Sequence, residues 1–499
     1  MLKRSRLLLC GFLLARSGQG FDTGHHRDMT RNALMREGFG QQAIEIVVLQ
    51  NWLTDFYAGQ ENVSIKALFA ETPDLAAIDE AEWVHFDNLV NTGPVRTYWN
   101  TLIQSTAAQM YRRMQSKADD PLAILTLLGI SLHAVQDFYT HSTWIEAHHP
   151  SPGSPFLALT WMDAEARQLL PQDPIRTGIY PDKNGPRGFR HADLNKDSYE
   201  RENWDRSYAL AYIATRQWVR GFRAFVEANK PGFWARCIQD ARITGPELDT
   251  LTTGLDASYK VSEVLGKWKG SGSSGGDVAR MMDPYYQFKK TVSGYKLAFI
   301  KQAILFELSN DLHNAVTMPN PRVLRPLPTG VPLPHFDPVP LDETAVVLSM
   351  PMVKSTNSPN DPFDEVNDHS MYARSTFQFS GSGDFSQEFV DATQLFNSGR
   401  KPFKWQVIWF VPNIVTDVAI HIELWNEGAS SPAEDHRIDI SGSPIDPTVG
   451  LHYLLDTHQC RINNQTRPCD RNNMVTVQGQ IPPRGQMSFS VETQMLARP

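Results

Sequence analysis

The sequence has no run or stripe of basic residues. Its 47 lysines and arginines are outnumbered by 55 aspartates and glutamates, and both signs are spread along the chain. Duplex nucleic acid, which is held by clustered cations on its phosphates, is therefore not the expected partner. After residue 20 no uninterrupted apolar stretch reaches the ~18 residues of a bilayer-crossing helix, so no transmembrane segment is expected. No internal repeat is evident. Cysteine is scarce, at four in 499 residues. Cys10 falls in the leading apolar stretch, without the small residues before it that lipid attachment needs. Cys460 and Cys469 share a polar loop, a spacing that suits a local disulfide outside the cytoplasm, and Cys237 is left as a buried thiol.

What is present begins with a leader. In MLKRSRLLLCGFLLARSGQG, Lys3, Arg4 and Arg6 precede the apolar segment Leu7 to Ala15, and Gly18 and Gly20 follow. This is the pattern of a secretory signal peptide over residues 1–20, with an apolar segment too short to span a bilayer. Its removal takes away Lys3, Arg4, Arg6 and Arg16 and makes an already acidic chain more so. Secreted or periplasmic localisation follows as an expectation, and with it a substrate outside the cytoplasm.

A chain of this length exceeds one ordinary core, so two domains are expected. Residues 21–317 predict an all-helical domain, with periodic segments at 28–35, 41–56, 97–114, 121–140, 205–228, 246–266 and 295–316. Pro121 suits a first helical turn after Asp119 and Asp120. Residues 150–197 and the run GSGSSGG at 270–276 predict irregular loops. Residues 318–340, MPNPRVLRPLPTGVPLPHFDPVP, are too rich in proline for helix interiors and predict an extended interdomain linker. Beyond it, residues 341–499 carry short alternating or β-branched runs at 345–348, 375–379, 405–410, 418–424, 474–477 and 487–491, separated by turn residues. These predict a β-sandwich. The expected fold class is thus multidomain, all-α followed by β-sandwich.

The sharpest chemical signal is LHAVQDFYTHSTWIE. His133, Asp137 and His141 recur at i, i+4 and i+8, which at about 100° per residue keeps all three on one helix face. Two imidazoles and a carboxylate suit zinc. The preceding residues, Leu122 to Leu132, are apolar on every side and predict a buried helix, where a carboxylate needs a counter-charge or a metal. A helical His133–Asp137 ion pair with His141 a chance neighbour is the competing account. Further ligand-type residues stand in GHHRDMT (His26), NWLTDFY (Asp55), WVHFDN (His85) and HADLNKD (His191, Asp193, Asp197). Taken singly, each is more readily a cap, a surface group or a satisfied core histidine than a functional group.

Taken together and in order, these segments resemble the zinc-dependent phospholipase C superfamily, which includes zinc nucleases and Het-C-like proteins. LHAVQDFYTHSTWIE is similar to the central helix of that family, HHRDMTRNAL to its first-histidine segment and HADLNKDS to a later loop, spanning about residues 21–315. The resemblance implies three zinc ions. His133 and Asp137 are similar to the paired ligands whose aspartate bridges two metals, and Asp55 and His85 to the other ligands of one of them. His26 is similar to the ligand of the bridged partner, completed in the family by the backbone of the first mature residue, here Phe21. His141 and His191 are similar to ligands of a third zinc. The chain departs from the pattern where Phe21 stands for tryptophan, where His141 follows Asp137 by four residues instead of six, and where Asn195 occupies the position of the third site's carboxylate. Glu146, Asp193 or Asp197 is left to supply it, with Glu146 favoured.

The resemblance implies a secreted phospholipase C that cleaves glycerophospholipids such as phosphatidylcholine at a membrane surface, with Asp55 also holding or deprotonating the attacking water. The alternatives are a nuclease or phosphatase on the same scaffold, or a non-catalytic Het-C-like effector or adhesion protein with structural zinc. In the β region, Phe403, Trp405, Trp409, Phe410 and Trp425 are either core or lipid-facing. Asp361, Asp364, Glu365 and Asp368 form either a solvated loop or a calcium site.

Overall fold

The computed structural model of the chain describes residues 23–58, 80–116, 120–148, 157–180, 184–239, 243–250, 287–355, 369–379, 386–395, 401–426 and 436–494, save isolated positions at 198, 200, 244, 248, 289, 442, 444, 482 and 483. The expected leader, Phe21, most of the 246–266 segment, the 270–276 run and the acidic group Asp361, Asp364, Glu365 and Asp368 lie outside the described residues.

Helices fill the first part of the chain and antiparallel strands the last. The helices are α1 (Thr23–Arg36), α2 (Gln41–Ala58), α3 (Thr92–Gln115), α4 (Pro121–His141), α5 (Trp144–His148), α6 (Trp161–Arg167), α7 (His191–Leu194), α8 (Trp204–Asn229), α9 (Phe233–Gln239) and α10 (Val292–Thr317). A 3-10 turn, Glu80–His85, precedes α3. The central element is α4. Asp120 accepts from the Leu122 amide at 3.2 Å and Pro121 opens the first turn, so the start is fixed by a side-chain cap and a preset φ. Every residue from Leu122 to His141 is buried. By length and composition α4 is apolar enough to cross a membrane, yet it lies wholly inside the protein. Among the helices packed against it is α2. At Gly129 a Cβ would meet the Val47 carbonyl oxygen at 2.6 Å and Gln50 Cβ at 2.7 Å, so only glycine allows this approach.

Strands run from β1 (Glu343–Ser355) through β2 (His369–Phe379), β3 (Ser386–Leu395), β4 (Lys401–Pro412), β5 (Asp417–Asn426), β6 (His436–Ile438), β7 (Val449–Leu454), β8 (Gln459–Ile462), β9 (Gln465–Pro468) and β10 (Val475–Gln478) to β11 (Gly485–Gln494). One sheet has the order β10-β11-β1-β4. The other has β3-β2-β5-β7-β8-β9, with β6 on β5. Phe377 of β2 stacks on Trp409 of β4 between them, at 6.2 Å between ring centroids. Cys460 and Cys469 form the expected disulfide, and Cys237 is a buried free thiol.

In β1 and β4 successive residues are buried, Ala345 to Leu348 and Val407 to Val411, because this sheet is covered on both faces. Trp409 points into the sandwich, while Phe410 lies flat on Tyr212 of α8 at 3.8 Å between centroids. Asn32 of α1 donates to the Phe410 carbonyl at 3.2 Å and accepts from its amide at 2.9 Å, pairing with β4 as a neighbouring strand would. A buried ionic group closes this contact. Arg216 bonds Glu37 and Glu343, Tyr212 donates to Glu343 at 3.0 Å, and Arg36 reaches Asp342 at 2.6 Å. Burial works against the Arg216 charge, but Tyr212, Glu343 and Glu37 raise its pKa. For Glu343 burial prevails over Arg216 and Arg36, and its carboxyl is raised too.

The proline-rich segment is extended, as expected, but it is a packed strap and not a free tether. Phe336 stacks on Trp218 at 5.3 Å and sits over Gly221, Leu324 donates its amide to Asp311 at 2.6 Å, and Arg112 holds the Arg325 carbonyl at 2.7 Å.

Candidate metal centre

Three segments far apart in sequence deliver the first cluster. His26 comes from α1, His85 from the end of the 3-10 turn, and His133 and Asp137 from α4. Asp137 is the hub. Its Oδ1 lies 3.1 Å from His26 Nε2, and its Oδ2 lies 2.8 Å from His85 Nδ1 and 3.2 Å from His133 Nε2. The His26 and His133 rings stack at 4.3 Å. All four side chains are buried.

The polar groups behind the cluster set which nitrogens face it. Gln136 Oε1 already accepts from Asn51 Nδ2 at 3.0 Å, so its contact at 2.6 Å with His26 Nδ1 is also that of an acceptor. Gln136 in turn donates to Thr30 and Thr215, both at 2.9 Å, which fixes its amide orientation. Asn51 Oδ1 accepts from His133 Nδ1 at 3.2 Å. Both imidazoles thus carry their proton on Nδ1 and turn the Nε2 lone pair toward Asp137, the arrangement a metal-ligating histidine needs. Burial lowers the His133 pKa to about 3 against the opposing pull of Asp137, so the ring is neutral at physiological pH.

One turn further along α4, His141 belongs to a second cluster with Asp87, His191 and Asp197. Its Nδ1 donates to the His85 carbonyl at 2.9 Å, and its Nε2 lies 3.3 Å from Asp197 Oδ1. His191 Nδ1 is 2.9 Å from Asp87 Oδ1, and the two imidazole rings are 4.2 Å apart. Burial opposes a charge on His141, but Asp137, Asp197 and Asp87 outweigh it and raise the ring to about 10. Burial would raise Asp137, yet His133, His141 and His26 hold it well below the usual carboxylate range.

The donor sets could hold a metal ion. Ligand atoms of His26, His133 and Asp137 lie within 4.8 Å of one another, and so do those of Asp87, His141 and His191. Among the described residues His191 Nε2 is buried with no hydrogen-bond partner, while Asp137 Oδ1 faces His26 Nε2 at 3.1 Å and Asp197 Oδ1 faces His141 Nε2 at 3.3 Å. Buried lone pairs without donors are costly unless a cation meets them. The carboxylates give both clusters a negative field, and imidazole nitrogen with carboxylate oxygen is metal-ligand chemistry.

Of the residues expected from sequence, His26, His85, His133 and Asp137 are brought together in one cluster, and His141, His191 and Asp197 in the other. Asp55 lies in the last turn of α2, but its side chain is outside the described residues, as is Phe21. Glu146, the favoured third-site carboxylate, is half-exposed on α5 and bonded to Lys196 Nζ at 3.3 Å. Asp193 is tied to Arg190 and the Gly188 amide. Sequence reasoning missed Asp87, Asn51 and Gln136. Asp87 stands two residues after His85, and Gln136 directly precedes Asp137, so proximity to the motif was the available signal. The aromatic side chains Trp409 and Phe410 are core and not lipid-facing.

No family model matches this chain, and no curated protein matches it.

Proposed function

We propose that the protein is an exported zinc-dependent phosphodiester hydrolase of the phospholipase C type, its helical region a zinc phospholipase C-like domain. The observation that supports this most is Asp137, a buried carboxylate whose two oxygens face imidazoles from three separate segments. His26, His85, His133 and Asp137 would hold a zinc ion, which would supply charge neutralisation of the phosphodiester and activation of water. Gln136 and Asn51 keep the Nε2 lone pairs of His26 and His133 aimed at the site, and Asp55 would orient and deprotonate the attacking water. Water oxygen bonds to phosphorus, the bond from phosphorus to the glycerol oxygen breaks, and the proton ends on that oxygen. The products are diacylglycerol and a phosphorylated head group. The acidic charge and the lack of a basic stripe favour a lipid over a polynucleotide.

The test is phosphorylcholine release from phosphatidylcholine vesicles, measured with a chelator and again after zinc is restored. Release that the chelator abolishes and zinc rescues supports the proposal. Zinc-loaded protein that cleaves single-stranded nucleic acid but no lipid makes it a nuclease. Zinc-loaded protein inert on both makes the metal structural.

A further inference from the structure

Helix α10 is apolar on two sides. Its inner face, with Leu297, Ile300, Ile304, Leu308 and Leu312, is buried in the helical core. Its outer face is apolar as well. Val292, Tyr295, Phe299 and Phe306 are 84%, 71%, 67% and 50% exposed, and Ala303 between them is exposed too. At 100° per residue these positions fall within about 80° of arc, so they form one continuous stripe. Single exposed apolar side chains are ordinary, but a contiguous row of large ones marks a surface that meets a partner.

The stripe leads to the first cluster. His313 lies on the same line, and its ring stacks on Trp83 at 4.8 Å. Trp83 belongs to the 3-10 turn that ends at His85, whose imidazole stands 2.8 Å from Asp137. From Val292 to His313 the stripe is about 32 Å long at 1.5 Å per residue.

The charges of α10 are sorted by sign. Its two acids face inward: Glu307 pairs with Arg112, and buried Asp311 accepts from Ser105 at 2.5 Å and from the Leu324 amide at 2.6 Å. Its exposed charge is cationic in a chain that is acidic as a whole. Lys290 stands just before the helix and Lys296 in its second turn, the latter also reaching Asp120 at 3.0 Å. Large apolar side chains in a helical row, tyrosine and tryptophan among them and lysines beside them, suit the interface of a bilayer that carries anionic lipid.

We propose that the outer face of α10 is a lipid-docking surface, with Val292, Tyr295, Phe299 and Phe306 seated in the bilayer interface and Lys290 and Lys296 among the head groups. The proposal rests on the reading of the protein as one that acts on lipid. It puts membrane contact on the helical region and not on the β region, where Trp409 and Phe410 are core.

The experiment is flotation of the full chain with vesicles of phosphatidylcholine, alone and with added phosphatidylglycerol, together with light scattering of the protein without lipid. Joint replacement Phe299→Ser and Phe306→Ser is expected to weaken vesicle partition about 10-fold or more. Joint replacement Lys290→Gln and Lys296→Gln is expected to remove the gain that phosphatidylglycerol gives and to leave partition onto phosphatidylcholine unchanged. Ile445→Ser, at a side chain of the β region that is 92% exposed, is expected to change neither. Melting curves should match the parent, since every replaced side chain is exposed. Undiminished partition in the phenylalanine pair, or an equal loss in Ile445→Ser, would overturn the assignment. So would a parent that is dimeric in light scattering and a phenylalanine pair that is monomeric, because the stripe then belongs to a second copy. Partition is read without turnover. Stripe-dependent binding by a protein that cleaves no phospholipid would keep the docking surface and sink the lipase reading. Turnover of a soluble short-chain phosphatidylcholine that persists in the phenylalanine pair, with vesicle turnover reduced, would support both.

Discussion

The His85 carbonyl accepts a hydrogen bond from His141 Nδ1 at 2.9 Å, while the His85 imidazole stands 2.8 Å from Asp137 in the neighbouring cluster. One residue thus serves two sites, with its side chain in one and its backbone in the other. The chain after it must turn sharply for Asp87 to reach His191, which is where the left-handed residues Phe86 and Asn88 lie.

That turn is testable at Asn88, whose φ is 66° and whose Oδ1 accepts from the Tyr180 amide at 3.0 Å. Asparagine tolerates the left-handed region better than alanine, which there costs about 1–2 kcal/mol. Asn88→Ala should lower stability by about that amount, and Asn88→Gly by less, since glycine relieves the backbone while losing the same hydrogen bond. Urea melts of the three proteins measure the order. Equal losses in both variants would place the cost in the side-chain bond alone.

Gln136 touches His26 and Asn51, and Asn51 touches His133, so the amide pair orients two first-cluster imidazoles at once. Gln136→Leu should weaken zinc at the first cluster about 10- to 100-fold without removing a ligand. A competition titration with a chelating dye gives the affinity. Unchanged affinity would mean that packing alone orients His26.

At Gly129, α4 approaches α2 too closely for a Cβ, which would meet the Val47 carbonyl oxygen at 2.6 Å. Gly129→Ala gains up to about 1 kcal/mol of helix propensity, but the overpacking costs about 1–3 kcal/mol. The variant should be less stable, and because Gln50 and Asn51 lie against the added methyl, its zinc affinity should fall as well. A melting temperature above that of the parent would refute the close approach.

Arg216 stands buried between Glu37 and Glu343. Replacing it with methionine removes the cation the two buried carboxylates share, leaving Glu37 with Arg220 and Glu343 with Arg36, so the cost should fall below the ~3–5 kcal/mol of a fully unpaired buried charge. The sign of the pH dependence follows from Glu343, whose pKa burial already raises in the fold and which loses Arg216 as an opposing influence. A carboxyl raised on folding favours the fold below its unfolded pKa, and that contribution is lost as pH rises through the folded value. The Arg216→Met deficit should therefore be largest near neutral pH and shrink as the pH falls toward the carboxylate range. Thermal melts across that range measure it. A deficit that grows on acidification would contradict the assignment.

The sequence by itself determined the division into helices and strands, because the change from 3.6-residue to two-residue periodicity and the intervening prolines are local properties. It also determined that His133, Asp137 and His141 share a face, since helix geometry alone places them there. Helix ends were legible where a cap was local, as at Asp120 and Pro121. Tertiary structure alone decided which residues meet that face. Asp87, Asn51 and Gln136 are ordinary polar residues until α1, α2 and the turn at His85 close around α4. Glu146, five residues beyond His141, sits on α5 and bonds Lys196, because the chain breaks at Ser142 and restarts as a separate helix. The strap and the ionic contact of Arg216 with Glu37 and Glu343 were likewise beyond reach. They depend on a sheet covered on both faces, and burial on a second face is a property of how separate regions pack, which no local pattern encodes.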